Sequence, residues 1–304
     1  MYAVIDIGSN TIRLSVFKVS LTGLELVFTK KESAGLAQFI DKNNNMNDEG
    51  IQKAIDTLKQ FNMILNNVTF NEVYVFATAA IRNAKNSLYV VDCIERETGF
   101  SIVILSDSEE STFAYYGASQ SLDINEGLLI DLGGGSTEVV LYSGGNIRYE
   151  VSIPLGTLNI YNKHVKKLFP TKKEIKAIKK EYNKQLNKIK FKNMNIKIDN
   201  VCGVGGSCRA SLKIINRKHK LPSYNNVYDV KVINEIIESS IEDKNKTLHE
   251  LIKVVPDRIH TIMPGLIVIQ TICEYFECNM MLISPYGVRE GYLWNKVNEQ
   301  AREV

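Results

Sequence analysis

Tryptophan and proline are scarce in this chain, with one Trp and six Pro in 304 residues, and no low-complexity linker interrupts it. The five cysteines, Cys93, Cys202, Cys208, Cys273 and Cys278, contain no CxxC pair. They therefore supply neither a zinc ribbon nor an even disulfide framework, and they read as reduced thiols of a cytoplasmic protein. Four histidines, His164, His219, His249 and His260, are scattered beside lysines or core segments without metal-ligand spacing. Charge of one sign is also lacking: 37 Lys and Arg stand against 34 Asp and Glu, a net +3. That excess is too small to argue for nucleic acid. The longest apolar stretch, residues 262–273, is broken by Pro264 and Gly265. It falls short of the roughly 20 residues a spanning helix needs and reads as a buried core helix, so no membrane is expected. The N-terminus runs directly into strand-like sequence at residues 2–7, with no basic region of a signal peptide.

What is present is an ordinary globular composition, 44% hydrophobic and 23% charged, at a length that favours two domains. An internal repeat supports that division. Residues 4–16 read VIDIGSNTIRLSV and residues 129–141 read LIDLGGGSTEVVL. Superposed, Asp6 falls on Asp131, Gly8 on Gly133 and Leu14 on Val139. Each copy is an apolar strand ending in Asp, a tight turn of small residues and a β-branched second strand, the pattern of a β-hairpin with an acid at its bend. Two copies imply a duplicated domain, with the hairpins facing each other across a cleft.

Between the copies, helix and strand patterns alternate. Residues 47–66 have apolar residues at helical spacing, 72–77 read as strand, 87–98 as helix and 101–105 as strand, and a helix opens at Glu109. The alternation predicts a mixed α/β sheet with helices packed on it. In the second half, Thr171 and Glu174 form a capping box ahead of an apolar stripe at Ile175, Ile178, Tyr182, Leu186 and Ile189. Residues 163–192 carry twelve lysines against Glu174 and Glu181. This segment suits either a polyanion-facing surface or a solvated helix face.

The two turns carry the chemistry. Gly8-Ser9-Asn10-Thr11 and Gly133-Gly134-Gly135-Ser136 are runs of small residues whose backbone N–H groups converge on one point, a nest suited to phosphate. Asp6, Asp131 and Glu138 are hard oxygen ligands beside these nests, fit to hold Mg2+ (or Mn2+) directly or through its waters. A third cluster, Gly203 to Ser207 with Gly205 and Gly206 at its centre, suits either another phosphate or nucleotide contact or a tight strand-to-helix turn.

Seven motifs in order make the reading specific: DIGSNTIRLSVF (6–17), ATAAIRNAKN (77–86), SDSEESTFAYYGA (106–118), DLGGGSTEVV (131–140), VGGSCRAS (204–211), RIHTIMPG (258–265) and SPYGVREG (284–291). With them the chain resembles the exopolyphosphatase/guanosine pentaphosphate phosphohydrolase family, a branch of the actin-like sugar kinase and Hsp70 superfamily. The resemblance implies two actin-like α/β domains, residues 1–121 with the C-terminal helix 292–304, and residues 122–291. It also implies a Mg2+-dependent hydrolase releasing orthophosphate from the end of inorganic polyphosphate, with guanosine pentaphosphate the nearest alternative substrate and a homodimer the expected association. Glu110 matches the catalytic glutamate that activates water, and Arg82 an arginine that contacts substrate phosphates. Gly205 and Gly206 match the nucleotide-side loop of the superfamily. Arg289 and Glu290 match a motif whose expected role is a structural ion pair or a domain-closing contact, and the helix bearing Trp294 is expected to pack on the first domain. Two departures from the family pattern lie beside the base: Asp107-Ser108 where Gly and an acid are frequent, and Ser111 where Ala is. The chain also ends at residue 304, whereas longer members continue with helical domains, so action on shorter chains is expected.

Overall fold

The structure is a computed structural model that describes residues 1–20, 23–189, 198 and 200–303. It divides into two compact units, Met1–Phe113 with Val288–Val304, and Ala114–Gly287.

In the first unit, β1 (Tyr2–Ile7), β2 (Ile12–Ser20) and β3 (Gly23–Glu32) form an antiparallel meander. β4 (Glu72–Ala77) and β5 (Ile102–Ile104) then join parallel to β1, giving the order β3-β2-β1-β4-β5. The crossovers are helical. α1 (Asp48–Leu65) is capped by Asn47, whose side chain accepts from Gly50 N. The single turn α2 (Ala79–Arg82) and α3 (Ser87–Thr98) follow β4. Alternation along β1 sorts its residues between two cores. Ala3, Ile5 and Ile7 face α1 and α3 with Leu58, Phe61, Val90 and Ile94. Val4 faces the opposite way, with Phe17, Phe76, Phe113, Tyr292 and Leu293. The last two belong to the C-terminal helix, Val288–Glu303, which packs on this unit as its expected role requires. Asp6 shares the face of Val4, toward that helix.

In the second unit, β6 (Glu126–Leu132), β7 (Thr137–Ser143) and β8 (Asn146–Ile153) repeat the meander. β9 (Asn200–Val204) and β11 (Met280–Ile283) extend it in parallel, and a short β10 (Val227–Asp229) pairs antiparallel with β11. Read from β8, the first five strands have the same order as in the first unit. The two units thus repeat one α/β arrangement, the duplication that the sequence repeat implied. The core packs β6, β7 and β9 against α5 (Thr157–His164), α6 (Lys172–Leu186), α7 (Gly205–Lys218), α8 (Lys231–Glu242), α9 (Lys244–Ile252) and α10 (Ile262–Tyr275). Residues 262–273 are buried throughout, and no helix among the described residues is long and apolar enough to cross a membrane. The capping box of α6 is formed, and Ile175, Ile178, Tyr182 and Leu186 are its buried stripe. Lys190 and Lys192 of the basic segment lie outside the described residues, whereas Lys163 and Lys179 pair with Glu181 and Glu274. All five cysteines are thiols, not disulfides.

α4 (Asp107–Ser121) begins two residues before the helix expected from Glu109, because Ser106 caps it. Ser106 Oγ and N both donate to Glu109 Oε2, and Glu109 N donates back to Ser106 Oγ, a capping box that starts the helix at Asp107. The division between the units falls within this helix, after Phe113.

Candidate active site

In the first unit the capping box assigns different tasks to the paired glutamates. Glu109 is consumed as the cap. Glu110, one position on, is buried at 8% exposure and accepts from Arg82 Nη1 at 2.6 Å. The same nitrogen donates to Leu105 O at 3.0 Å, and Arg82 Nη2 lies 2.5 Å from Asp107 Oδ1. Arg82 reaches these partners because α2 turns immediately after β4, with Arg82 N bonded to Thr78 O. The structure thus brings together the two residues that the motifs placed 28 positions apart. Asp107, one of the departures from the family pattern, is the third member of the group. Arg82 Nε and Nη2 are buried with no hydrogen-bond partner among the described residues, although Nη2 is ion-paired to Asp107.

Asp6 ends β1 and is paired in register with Arg13 on β2. Arg289 Nη1, from the C-terminal helix, lies 3.4 Å from Asp6 Oδ2, and its Nη2 lies 3.6 Å from Glu290 Oε1. Burial raises the pKa of Asp6 above the ordinary carboxylate value, although Arg289 and Arg13 both pull it down. The carboxylate expected as a metal ligand is therefore already attended by two guanidinium groups.

The second unit carries a different charge at the equivalent position. Asp131 on β6 is paired in register with Glu138 on β7, and Glu138 with Ser152 on β8. Paired residues share a face, so the three form a row across the sheet. Asp131 is 8% and Glu138 1% exposed, and Ser152 Oγ donates to Glu138 Oε1 at 3.0 Å. Two buried carboxylates at directly opposed positions repel each other, and a divalent cation is the group that offsets such a pair. The donor set, two hard oxygens with a hydroxyl behind one of them, fits Mg2+. Ser152 was not found from the sequence. Its register depends on a bulge at Leu141/Tyr142, which periodicity alone does not reveal.

Both turns have the same internal geometry. Gly8 N donates to Thr11 O, and Gly133 N to Ser136 O, each at 3.1 Å. In each turn the intervening carbonyls accept from a later segment of the chain. Ser9 O and Asn10 O accept from Ala37 N and Gly35 N, and Gly134 O and Gly135 O from Leu158 N and Gly156 N. A peptide plane directs its C=O and its N–H oppositely. Pinning these carbonyls therefore turns the N–H groups of Asn10 and Thr11, and of Gly135 and Ser136, away from the pinning segment. None of these four N–H groups has a partner among the described residues. Each turn thus leaves two adjacent backbone N–H groups without such a partner, the arrangement that an anion nest requires.

A family model described as the Ppx/GppA phosphatase family matches residues 15–300. The chain belongs to the Ppx/GppA phosphatase family. A member of that family from Aquifex aeolicus has the same fold, with TM-score 0.77 at 24% identity and 98% of each chain covered. An exopolyphosphatase from Cytophaga hutchinsonii is similar at TM-score 0.84 and 19% identity, again over 98% of each chain. A bifunctional 3-dehydroquinate synthase/phosphatase of Fusobacterium nucleatum is 26% identical over 302 residues, 93% of this chain. The present chain spans 44% of the length of that relative.

The third glycine cluster is a strand-to-helix turn. β9 ends at Val204 and α7 starts at Gly205, whose φ of +86° suits glycine. A Cβ there would lie 2.3 Å from Asp131 Oδ1, so the carboxylate sits directly over the N-terminus of α7, where the helix dipole favours negative charge. The guanidinium of Arg258 lies against Gly206, with Nη2 at 1.9 Å from the position of a Cβ. Burial, reinforced by nearby Arg209, pushes the pKa of Arg258 down to about 10. Arg258 therefore covers the N-terminus of α7 beside Gly206.

Proposed function

We propose that this chain hydrolyses the terminal phosphoanhydride bond of inorganic polyphosphate and releases orthophosphate. The observation that carries the reading is Glu110. It is buried, it opens a capped helix, and Arg82 fixes it from one side. Membership of a phosphatase family supports it, as does the likeness to a protein described as an exopolyphosphatase.

The reaction asks for positioning and charge neutralisation more than for covalent chemistry. The N–H groups of residues 10–11 in the first unit and of residues 135–136 in the second are each donors suited to non-bridging phosphate oxygens, and Arg82 holds Glu110 in place. Glu110 accepts a proton from water as the water oxygen forms its bond to the terminal phosphorus. The bridging P–O bond breaks, its electron pair staying with the shortened chain. The proton then leaves Glu110 for the released phosphate or solvent. Asp131 and Glu138 would hold Mg2+, with Ser152 orienting Glu138; when bound, the ion supplies neutralisation of the substrate's phosphate charge.

Phosphate release should be measured side by side on short polyphosphate, long polyphosphate, guanosine pentaphosphate and ATP with Mg2+. Release from polyphosphate that is lost in Glu110→Gln supports the proposal. Turnover confined to guanosine pentaphosphate assigns the same chemistry to a nucleotide substrate. ADP formation from ATP that survives in Glu110→Gln rejects the proposal.

A further inference from the structure

The repeat extends beyond the hairpins. Each meander is followed by a short segment that returns to its own turn: residues 33–39, SAGLAQF, after β3, and residues 154–160, PLGTLNI, after β8. Gly35 and Gly156 occupy equivalent places, each donating its N–H to the carbonyl of the third residue of its turn. Ala37 and Leu158, two residues on, each donate to the carbonyl of the second. The two segments are thus a duplicated backbone brace, and they differ in strength.

In the first copy those two bonds are the ones formed. Gly35 adopts φ +61°, and the next side chain of interest, Gln38, makes no bond to residues 8–11 among the described residues. In the second copy all three glycine carbonyls accept twice. Gly133 O receives Thr157 N at 3.0 Å and Thr157 Oγ1 at 3.3 Å. Gly134 O receives Leu158 N at 2.9 Å and Asn159 N at 3.3 Å. Gly135 O receives Gly156 N at 3.1 Å and Asn159 Nδ2 at 2.7 Å. The donors of Thr157, Leu158 and Asn159 are first-turn N–H groups of α5, which have no partner inside their own helix. Contact is so close that a Cβ on Gly156 would lie 2.3 Å from the carbonyl carbon of Gly134.

By the peptide-plane argument, holding the Gly133 carbonyl also turns the N–H of Gly134 outward. In the second turn pinned carbonyls then orient three N–H groups, of Gly134, Gly135 and Ser136, where in the first they orient two. Three consecutive glycine-rich residues are also the part of the chain with most conformational freedom to lose. A nest made from them binds well only if that freedom is removed beforehand.

We infer that Asn159 is a positioning residue for the phosphate turn 133–136, acting through its side-chain bond to Gly135 O, and that the second turn is the more strongly pre-ordered of the two. This rests on the hydrolase reading given above. Asn159 touches no substrate; it removes motion from the turn that does.

The test uses the full chain with Asn159→Ala, the isosteric Asn159→Asp, which loses the donor, and Gln38→Ala as the equivalent change in the first copy. Backbone 15N relaxation reports order at residues 133–136, and calorimetry with tripolyphosphate in a Glu110→Gln background reports binding without turnover. In both Asn159 variants the order parameters should drop from the rigid range, about 0.85, toward about 0.6. Tripolyphosphate affinity should fall about tenfold and KM rise by a similar factor, with kcat within about threefold of wild type and Gln38→Ala unchanged in all four. Unchanged order at 133–136 in the Asn159 variants overturns the inference, as does lowered order with unchanged affinity. If the wild-type chain binds no tripolyphosphate, the hydrolase reading fails, and the relaxation data alone decide whether Asn159 holds the turn.

Discussion

Asp131 stands directly opposite Glu138 across β6 and β7, whereas at the equivalent pair of the first unit Asp6 stands opposite Arg13. The duplicated hairpins therefore share a backbone but differ in charge. One is an acid–base pair, further neutralised by Arg289; the other is a buried pair of acids. On the metal-site proposal, the second hairpin is the one that gains from a cation.

Glu138→Gln removes one charge of that pair while keeping its shape and its acceptor for Ser152. Without metal the variant should be more stable than wild type by about 1 kcal/mol, since like charges directly opposed are destabilising. That corresponds to a melting temperature higher by roughly 2–4 °C. Added Mg2+ should raise the melting temperature of wild type and have much less effect on the variant. Thermal melts in chelator and in Mg2+ give both numbers. An equal Mg2+ response in the two proteins removes Glu138 from the metal site.

The pairing of Arg82 with Glu110 predicts separable effects on stability and rate. Glu110→Gln keeps an acceptor for Arg82 and loses the base, so kcat should fall by about 10² to 10⁴ with little change in melting temperature. Arg82→Ala takes a hydrogen-bonded cation from a buried carboxylate, and losing one partner of such a pair costs about 3 kcal/mol or more. The double variant should be more stable than Arg82→Ala alone, because the charge that suffers from the missing partner is then gone as well. Additive stabilities in this cycle would show that the two side chains are not coupled.

The features legible in the sequence were those with a period or a cap. The two hairpins follow from alternation ending in Asp and glycine, α1 from Asn47 and its apolar spacing, and α6 from Thr171 and Glu174. The capping box at Ser106 and Glu109 is equally local; its reach moves the helix start to Asp107, which periodicity alone does not register. The Ser152 contact lies across a bulge, and the contact of Arg258 with Gly206 joins segments about 50 residues apart, so neither has a local signature. The brace at 154–159 is mostly main chain to main chain. Glycine at 35 and 156 is its one shared mark, and a single glycine in so short a segment does not stand out from background.

Burial separates the thiols into two classes. Cys202 is pushed up to about 12 by desolvation, and Cys208 and Cys273 are raised further still by the same cause. A thiol held protonated and out of water reacts slowly. Cys93, on α3, is only half-buried. Titration of the native protein with a disulfide reagent at pH 8 should therefore show one fast-reacting thiol, abolished in Cys93→Ser, with the remaining four appearing only on unfolding. Fast reaction of a second thiol in the native state would contradict this packing of α7 and α10.

Stability at acid pH should depend on Glu174. The backbone N–H of Thr171 donates to its carboxylate at 2.7 Å and is the main reason its pKa lies below the ordinary value; burial, the next cause in size, opposes it, and the Thr171 hydroxyl and Lys166 add to the lowering. A carboxylate depressed in the folded state binds fewer protons there than in the unfolded chain. Its contribution is thus fully present above the unfolded pKa, near 4.5, and is lost as pH falls through the lower folded value. Glu174→Gln keeps a weaker acceptor for the cap and does not titrate. Below that window wild type and variant should converge in stability; above it wild type should be ahead by a few tenths of a kcal/mol to about 1 kcal/mol, the range for a helix cap. Denaturant unfolding of both proteins at pH 3, 4, 5 and 6 measures the difference. A gap between the two curves that does not change with pH would mean that the charge of Glu174 contributes nothing to capping α6.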